Sequence, residues 1–124
     1  MGFFSKKPRV TLPWIQLESL EQLQKIVTTT EDKPILLFKH STRCGTSSMA
    51  LNSFEGSWTS EDELCDLYYL DLLRHRDVST KIAEITGIHH QSPQCIVIKG
   101  KDIIYDESHS SIDARRIETL LKKG

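Results

Sequence analysis

The strongest constraint on the fold is a short apolar run, ILLFK at residues 35–39, which begins directly after Pro34. A continuous apolar run of this length is typical of a central strand that is buried on both faces. Residues 45–56 follow with apolar side chains at helical spacing. We therefore predict that Cys44 lies where a buried strand ends and a helix begins.

The remaining patterns predict strands and helices that alternate and then close in a hairpin and a helix. In chain order we predict a helix opened by a capping box at 19–22, the strand at 35–39, a helix at 45–56, a strand at 64–71, a helix at 77–86, paired strands at 94–99 and 102–106, and a last helix after 113. A weak short strand around 14–17 would add to the sheet. This order predicts an α/β, thioredoxin-like fold, with a central mixed sheet of four to five strands and helices on both faces.

The length and composition of the chain indicate one domain and exclude some classes of partner. The 124 residues are 38% hydrophobic and 27% charged, with a net charge of -1, so nucleic acid is not indicated. No apolar run suits a signal peptide or a membrane span, so we expect a cytoplasmic protein without a membrane partner. Residues 1–13 are polar, basic and rich in proline, and we interpret them as an N-terminal arm before a domain at 14–124.

The chain has three cysteines, Cys44, Cys65 and Cys95. A small and odd number does not fit a secreted disulfide framework. Cys65 and Cys95 fall in apolar strands, where burial is the expected state. A resolving role for Cys95 stays open, because the proline loop before it is expected near Cys44.

Cys44 is the candidate nucleophile. At a helix start it faces unpaired backbone N–H groups and the positive end of the helix dipole, which favour a thiolate. Arg43 and Lys39 could add positive charge nearby, and Gly45 leaves room for a ligand to approach. Dithiol oxidoreductases carry a second cysteine three residues on, but this chain has Ser47 there. The motif therefore favours a monothiol mechanism, in which an external thiol releases the product.

A second element is Ser92-Pro93, directly before an apolar strand. A proline in this position favours a cis bond, and in thioredoxin-like folds the residue before it offers backbone groups to the bound thiol. The histidines match no zinc spacing, so we expect no metal, although His109 could border a ligand groove.

Four stretches together resemble a known family: FKHSTRCGTS at 38–47, RDVS at 76–79, TGIHHQSPQ at 86–94 and Ser108-His109. They resemble the YtxJ-type bacterial proteins, or monothiol bacilliredoxins, over residues 14–121. The resemblance implies thiol exchange with bacillithiol, with Cys44 as nucleophile, Ser47 as the second catalytic residue and Pro93 as cis-proline. The family usually has a proline where this chain has Gly45.

The leading hypothesis is an oxidoreductase that takes bacillithiol, or a similar thiol, from protein mixed disulfides through Cys44. Its partners would be thiolated client proteins and the small thiol as co-substrate, with no tightly bound cofactor, and the chain would be a monomer or weak dimer. The expected thiol and substrate contacts are Arg43, Gly45, Thr46, Ser92, Pro93 and His109. Two alternatives stay open: an iron–sulfur carrier like monothiol glutaredoxins, or a redox-responsive stress or binding protein without turnover.

Overall fold

The computed structural model of the chain describes residues 12–30, 33–59 and 64–122. In these residues the elements are, in chain order, β1 (Ile15–Gln16), α1 (Leu20–Val27), β2 (Ile35–His40), α2 (Gly45–Ser57), β3 (Asp66–Asp71), α3 (Arg76–Thr86), β4 (Gln94–Lys99), β5 (Asp102–Ser108), a 3-10 turn (His109–Ser111) and α4 (Ala114–Lys122).

The strands form one mixed sheet in the order β1-β3-β2-β4-β5. β1, β3 and β2 run parallel, whereas β4 is antiparallel to β2 and β5 is antiparallel to β4. All six residues of β2 are buried, so the prediction of a central strand covered on both faces is confirmed. The weakly predicted first strand is also present, because Ile15 and Gln16 pair with β3.

The side chains of β2 point alternately to the two faces of the sheet and contribute to two separate hydrophobic cores. Leu36 and Phe38 belong to the cluster on the α2 and α4 face, together with Phe54. Ile35 and Leu37 belong to the cluster on the α1 and α3 face. Successive side chains of a strand point to opposite faces, and this alternation continues into Lys39 and His40. The last two residues of β2 therefore serve opposite sides of the sheet.

Several local predictions need correction. Apolar spacing in α3 predicts that Ile85 faces inward, but its side chain is 45% exposed. β3 begins at Asp66 rather than at residue 64. Leu12, which the sequence assigned to the arm, is buried in the α2-side core, whereas residues 1–11 lie outside the described part of the chain.

None of the helices in the described ranges is long and apolar enough to cross a membrane.

Candidate functional site

Cys44 is the N-cap of α2, with extended backbone angles of φ -106 and ψ 118. Its N–H donates to Ser41 O at 3.1 Å, and its C=O accepts from Ser48 N at 3.1 Å. Among the described residues its side chain makes no capping hydrogen bond, and the first turn of α2 contains no acidic residue. The half-buried thiol thus lies at a helix start where the N–H groups of the first turn have no intrahelical acceptor. A helix start of this kind is a favourable place for a bound anion or another electron-rich atom.

The other two cysteines, both within the described ranges, lie in the core. Cys65 is 7% exposed, and burial raises its pKa to about 12. Cys95 is fully buried opposite Phe38, and burial raises its pKa well above the ordinary value. Both thiols therefore stay protonated and out of reach of a substrate. The core position of Cys95 argues against the resolving role that the sequence left open.

Ser47 lies in the first turn of α2 and is fully buried. Its Oγ accepts from Ser41 N–H at 3.1 Å and lies 2.7 Å from His40 Nδ1, a hydrogen bond in either imidazole tautomer. Burial lowers the pKa of His40, outweighing the opposing effects of Asp71, Ser47 and Glu55. Ser47 therefore ties the helix start to the end of β2 and to the turn that carries Cys44.

A cavity of about 330 Å³ opens beside the first turn of α2. It brings together two of the predicted ligand contacts, Thr46 from the helix and His109 from the turn after β5. Met49 is 73% exposed and forms part of its wall. The full lining is Thr46, Met49, Ala50, Ser53, His109, Ser110 and Ile112. We call this cavity the Thr46–His109 groove.

The proline loop is joined to this groove through the backbone. The Ser92–Pro93 peptide bond is cis, and Pro93 O accepts from His109 N–H at 3.0 Å. His109 has a φ of 56, which is uncommon for a residue with a Cβ. Ser92 Oγ is buried and finds no hydrogen-bond partner among the described residues. Neither Ser92 nor Pro93 lines the Thr46–His109 groove itself.

The remaining predicted contacts are placed differently. Arg43 and Gly45 flank Cys44 and are exposed, but neither lines the Thr46–His109 groove. Lys39 was expected to add charge near Cys44; instead its Nζ bonds to Ser79 O of α3, on the opposite face from α2. This follows from its place in β2, one residue before His40. No group of three metal-ligating side chains occurs among the described residues.

The sequence reasoning missed His40 and Met49. Met49 had a readable signal, because Thr46, Met49, Ala50 and Ser53 follow the i, i+3, i+4, i+7 spacing of one helix face. The hydrogen bond between His40 and Ser47 has no such signal in the sequence, because it joins a strand to a helix across a turn.

Comparison with known proteins agrees with this fold. The family model described as monothiol bacilliredoxin BrxC matches residues 15–117. A solved structure described as a candidate oxidoreductase with a thioredoxin fold is 27% identical, with a TM-score of 0.72 over 86% of this chain and 92% of that one. Thioredoxin from Trypanosoma brucei brucei has a TM-score of 0.68 at 16% identity, covering 93% of this chain and 94% of its own. Fasciola hepatica thioredoxin has a TM-score of 0.64 at 13% identity, covering 87% of this chain and 96% of its own. The predicted thioredoxin-like fold is confirmed.

Proposed function

The chain belongs to the monothiol bacilliredoxin family, and from this premise we propose that it removes a low-molecular-weight thiol from protein mixed disulfides, with Cys44 as nucleophile. Its broader role is that of a thioredoxin-fold thiol–disulfide oxidoreductase. Bacillithiol is the proposed small thiol, as the family name implies.

The observation that carries this proposal is the contrast among the three thiols. Cys44 is partly accessible at a helix start, whereas Cys65 and Cys95 are buried and have raised pKa values. Sulfur exchange needs an accessible thiolate, so Cys44 is the candidate nucleophile. Ser47 occupies the place of a resolving cysteine, and its oxygen is bonded to the Ser41 N–H.

The exchange would proceed in two balanced steps. The Cys44 thiolate attacks the small-thiol sulfur of the mixed disulfide, the client cysteine leaves as a thiolate, and water protonates it. A second small thiol then attacks the small-thiol sulfur of the disulfide on Cys44. This frees the Cys44 thiolate and produces a disulfide of two small thiols. The client cysteine is reduced and the incoming small thiol is oxidised, while the small thiol taken from the client stays at the disulfide oxidation level.

The small thiol would lie in the Thr46–His109 groove, which begins two residues after Cys44. Its volume of about 330 Å³ is within the usual range for small-molecule sites. Thr46 and His109 offer polar groups, and Met49 offers apolar contact. The groove is open to solvent on its Met49 side, so a client protein can approach.

The test is exchange with a purified protein that carries bacillithiol on one cysteine, followed by mass spectrometry. We expect Cys44→Ala to abolish release of the small thiol and Cys95→Ala, once shown to be folded, to retain it. The wild-type protein should show a mass adduct on Cys44. Parallel reactions with a glutathionylated client identify the preferred thiol. Undiminished release by Cys44→Ala would refute the mechanism.

A further inference from the structure

A second polar cluster lies on the α3 face of the sheet, where the side chain of Lys39 ends. Lys39 is fully buried, and its Nζ donates to Ser79 O at 3.3 Å and contacts His90 Nδ1 at 3.3 Å. No carboxylate pairs with it among the residues that the structure describes. A buried ammonium without a counter-charge is costly, so its persistence at this position calls for a physical reason.

The contact between Lys39 and His90 fixes the imidazole tautomer. An ammonium group can only donate hydrogen bonds, so His90 Nδ1 must accept from it, and the ring proton lies on Nε2. Ser79 Oγ lies 3.2 Å from the same Nδ1. The Nε2–H of the exposed His90 ring is consequently a donor directed away from Lys39.

These groups border a cavity of about 320 Å³ between α3 and the loop after it. Two of its lining residues, Ser79 and His90, are the ones that contact Lys39, so the ammonium lies directly beneath its wall. The lining residues are Leu72, Arg76, Ser79, Thr80, Ala83 and His90. Every ionisable group in this lining is basic.

The nearest carboxylates along the chain, Asp71 and Asp77, form no salt bridge with Lys39 or Arg76 in the part of the chain that the structure describes. Asp71 Oδ1 accepts from Leu73 N–H at 3.2 Å, and Asp77 Oδ1 accepts from Val78 N–H at 2.8 Å. In addition, burial and the positive charge of Lys39 lower the pKa of His90. The cluster therefore has unbalanced positive charge, which a bound anion would relieve.

We propose that this cavity, between α3 and residues 88–92, is a binding site for a small oxyanion, a phosphate or carboxylate group held by Arg76, His90 and the field of Lys39. Arg76 and His90 Nε2–H contact the anion directly, and the hydroxyls of Ser79 and Thr80 border it. Lys39 acts from beneath. The site is separate from the Thr46–His109 groove, since the two cavities share no lining residue.

The test is a titration of the full chain with inorganic phosphate and, in parallel, with succinate, followed by the NMR signals of backbone amides and of the His90 ring. Sodium chloride at matched ionic strength controls for screening. We expect saturable shifts at residues 76–83 and 88–92 with at least one of the two anions. The anion that saturates first names the preferred group. Shifts that match those in chloride would overturn the proposal.

Variants make the test specific to the cluster. Arg76→Gln removes an exposed charge and should weaken binding by about tenfold, the usual loss for a charge-assisted bond. Arg115→Gln, an exposed arginine on α4, is the matched control and should bind as the wild type does. Lys39→Met tests whether the buried charge contributes to anion binding, provided that the variant folds. If it does not fold, the affinity of Arg76→Gln alone decides whether the site exists. Unchanged affinity in Arg76→Gln would also overturn the site.

Discussion

At the end of β2, two consecutive polar residues point to opposite faces of the sheet. His40 is directed towards α2 and bonds to Ser47, whereas Lys39 is directed towards α3 and bonds to Ser79. Both are buried, and burial lowers the pKa of each. One strand end therefore supplies a neutral partner to the cysteine turn and a positive charge to the opposite cavity.

Lys39 makes stability depend on pH. Burial lowers its pKa from 10.5 to about 8, so below that pH the folded protein bears the full cost of the charge. Above it, the unfolded chain binds more protons than the folded one, and stability rises with pH. Relative to Lys39→Met, the wild type should gain about 2 kcal/mol in unfolding free energy between about pH 7 and about pH 9.5.

Urea denaturation of both proteins at the two pH values measures this gain. Because the tyrosine and cysteine titrations are common to both proteins, they cancel in the comparison. Parallel changes in the two proteins would show that Lys39 does not titrate in this range.

Ser47→Ala tests the other side of the strand end. It leaves the Ser41 N–H and the His40 ring without their shared partner, both in buried surroundings. The free energy of unfolding should fall by about 1–3 kcal/mol, the cost of unsatisfied buried polar groups. Ser48→Ala, the next residue of the same helix, is the matched control for urea denaturation. Equal stability of the two variants would contradict the role given to Ser47.

At the scale of elements, the first turn of α2 both begins the helix and positions the candidate nucleophile. Cys44 caps the helix without using its side chain, and Gly45 occupies the first helical position. A Cβ added at Gly45 would meet nothing within 4 Å, and its φ is not positive. Glycine is therefore not required there by sterics, unlike Gly87, which ends α3 with a φ of 71.

Gly45→Ala should stabilise the protein by roughly 0.4–1 kcal/mol, because it restricts the unfolded chain without a clash. Gly45→Pro should stabilise it as well, since proline suits a first helical position and Cys44 already has a compatible extended conformation. Gly87→Ala is the contrasting control and should lower the melting temperature. Thermal unfolding of the three variants and the wild type measures these changes in melting temperature. A melting temperature of Gly45→Ala below that of the wild type would refute the prediction for Gly45.

At the scale of the whole molecule, three segments distant in sequence form the proposed thiol site. The turn before α2 supplies Cys44, the loop before β4 supplies the cis-proline Pro93, and the turn after β5 supplies His109. The bond from His109 N to Pro93 O joins the last two segments. Since β2 and β4 are adjacent in the sheet, the site spans neighbouring strand ends and depends on the sheet order.

The groove can be tested with a substitution that leaves the core intact. Met49→Gln removes apolar contact from an exposed position, so stability should change by less than about 0.5 kcal/mol. If the small thiol or its client packs there, kcat/KM for exchange should fall by about fivefold. Ile85→Gln makes a similar change on α3, outside the groove, and should leave kcat/KM unaltered. A loss of the same size in both variants would exclude a specific contact at Met49.

The sequence predicted much of the fold because local patterns carried the information. The apolar run in β2 and the capping box at 19–22 each depend on residues close together in the chain. An error arose where periodicity alone assigned a face, as for Ile85. Ile85 is exposed because it lines a cavity between α1 and α3, whereas Val78 and Ile82 of the same helix are fully buried.

The sequence by itself determined the order of the elements, the family resemblance and the place of Cys44 between a strand and a helix. Only the tertiary structure decided which side chains meet across elements: Ser47 with His40, Thr46 with His109, and Lys39 with His90. The reason is physical. Alternation along β2 separates residues 39 and 40, but which helix covers each face depends on how the chain crosses the sheet, and residue spacing does not encode that.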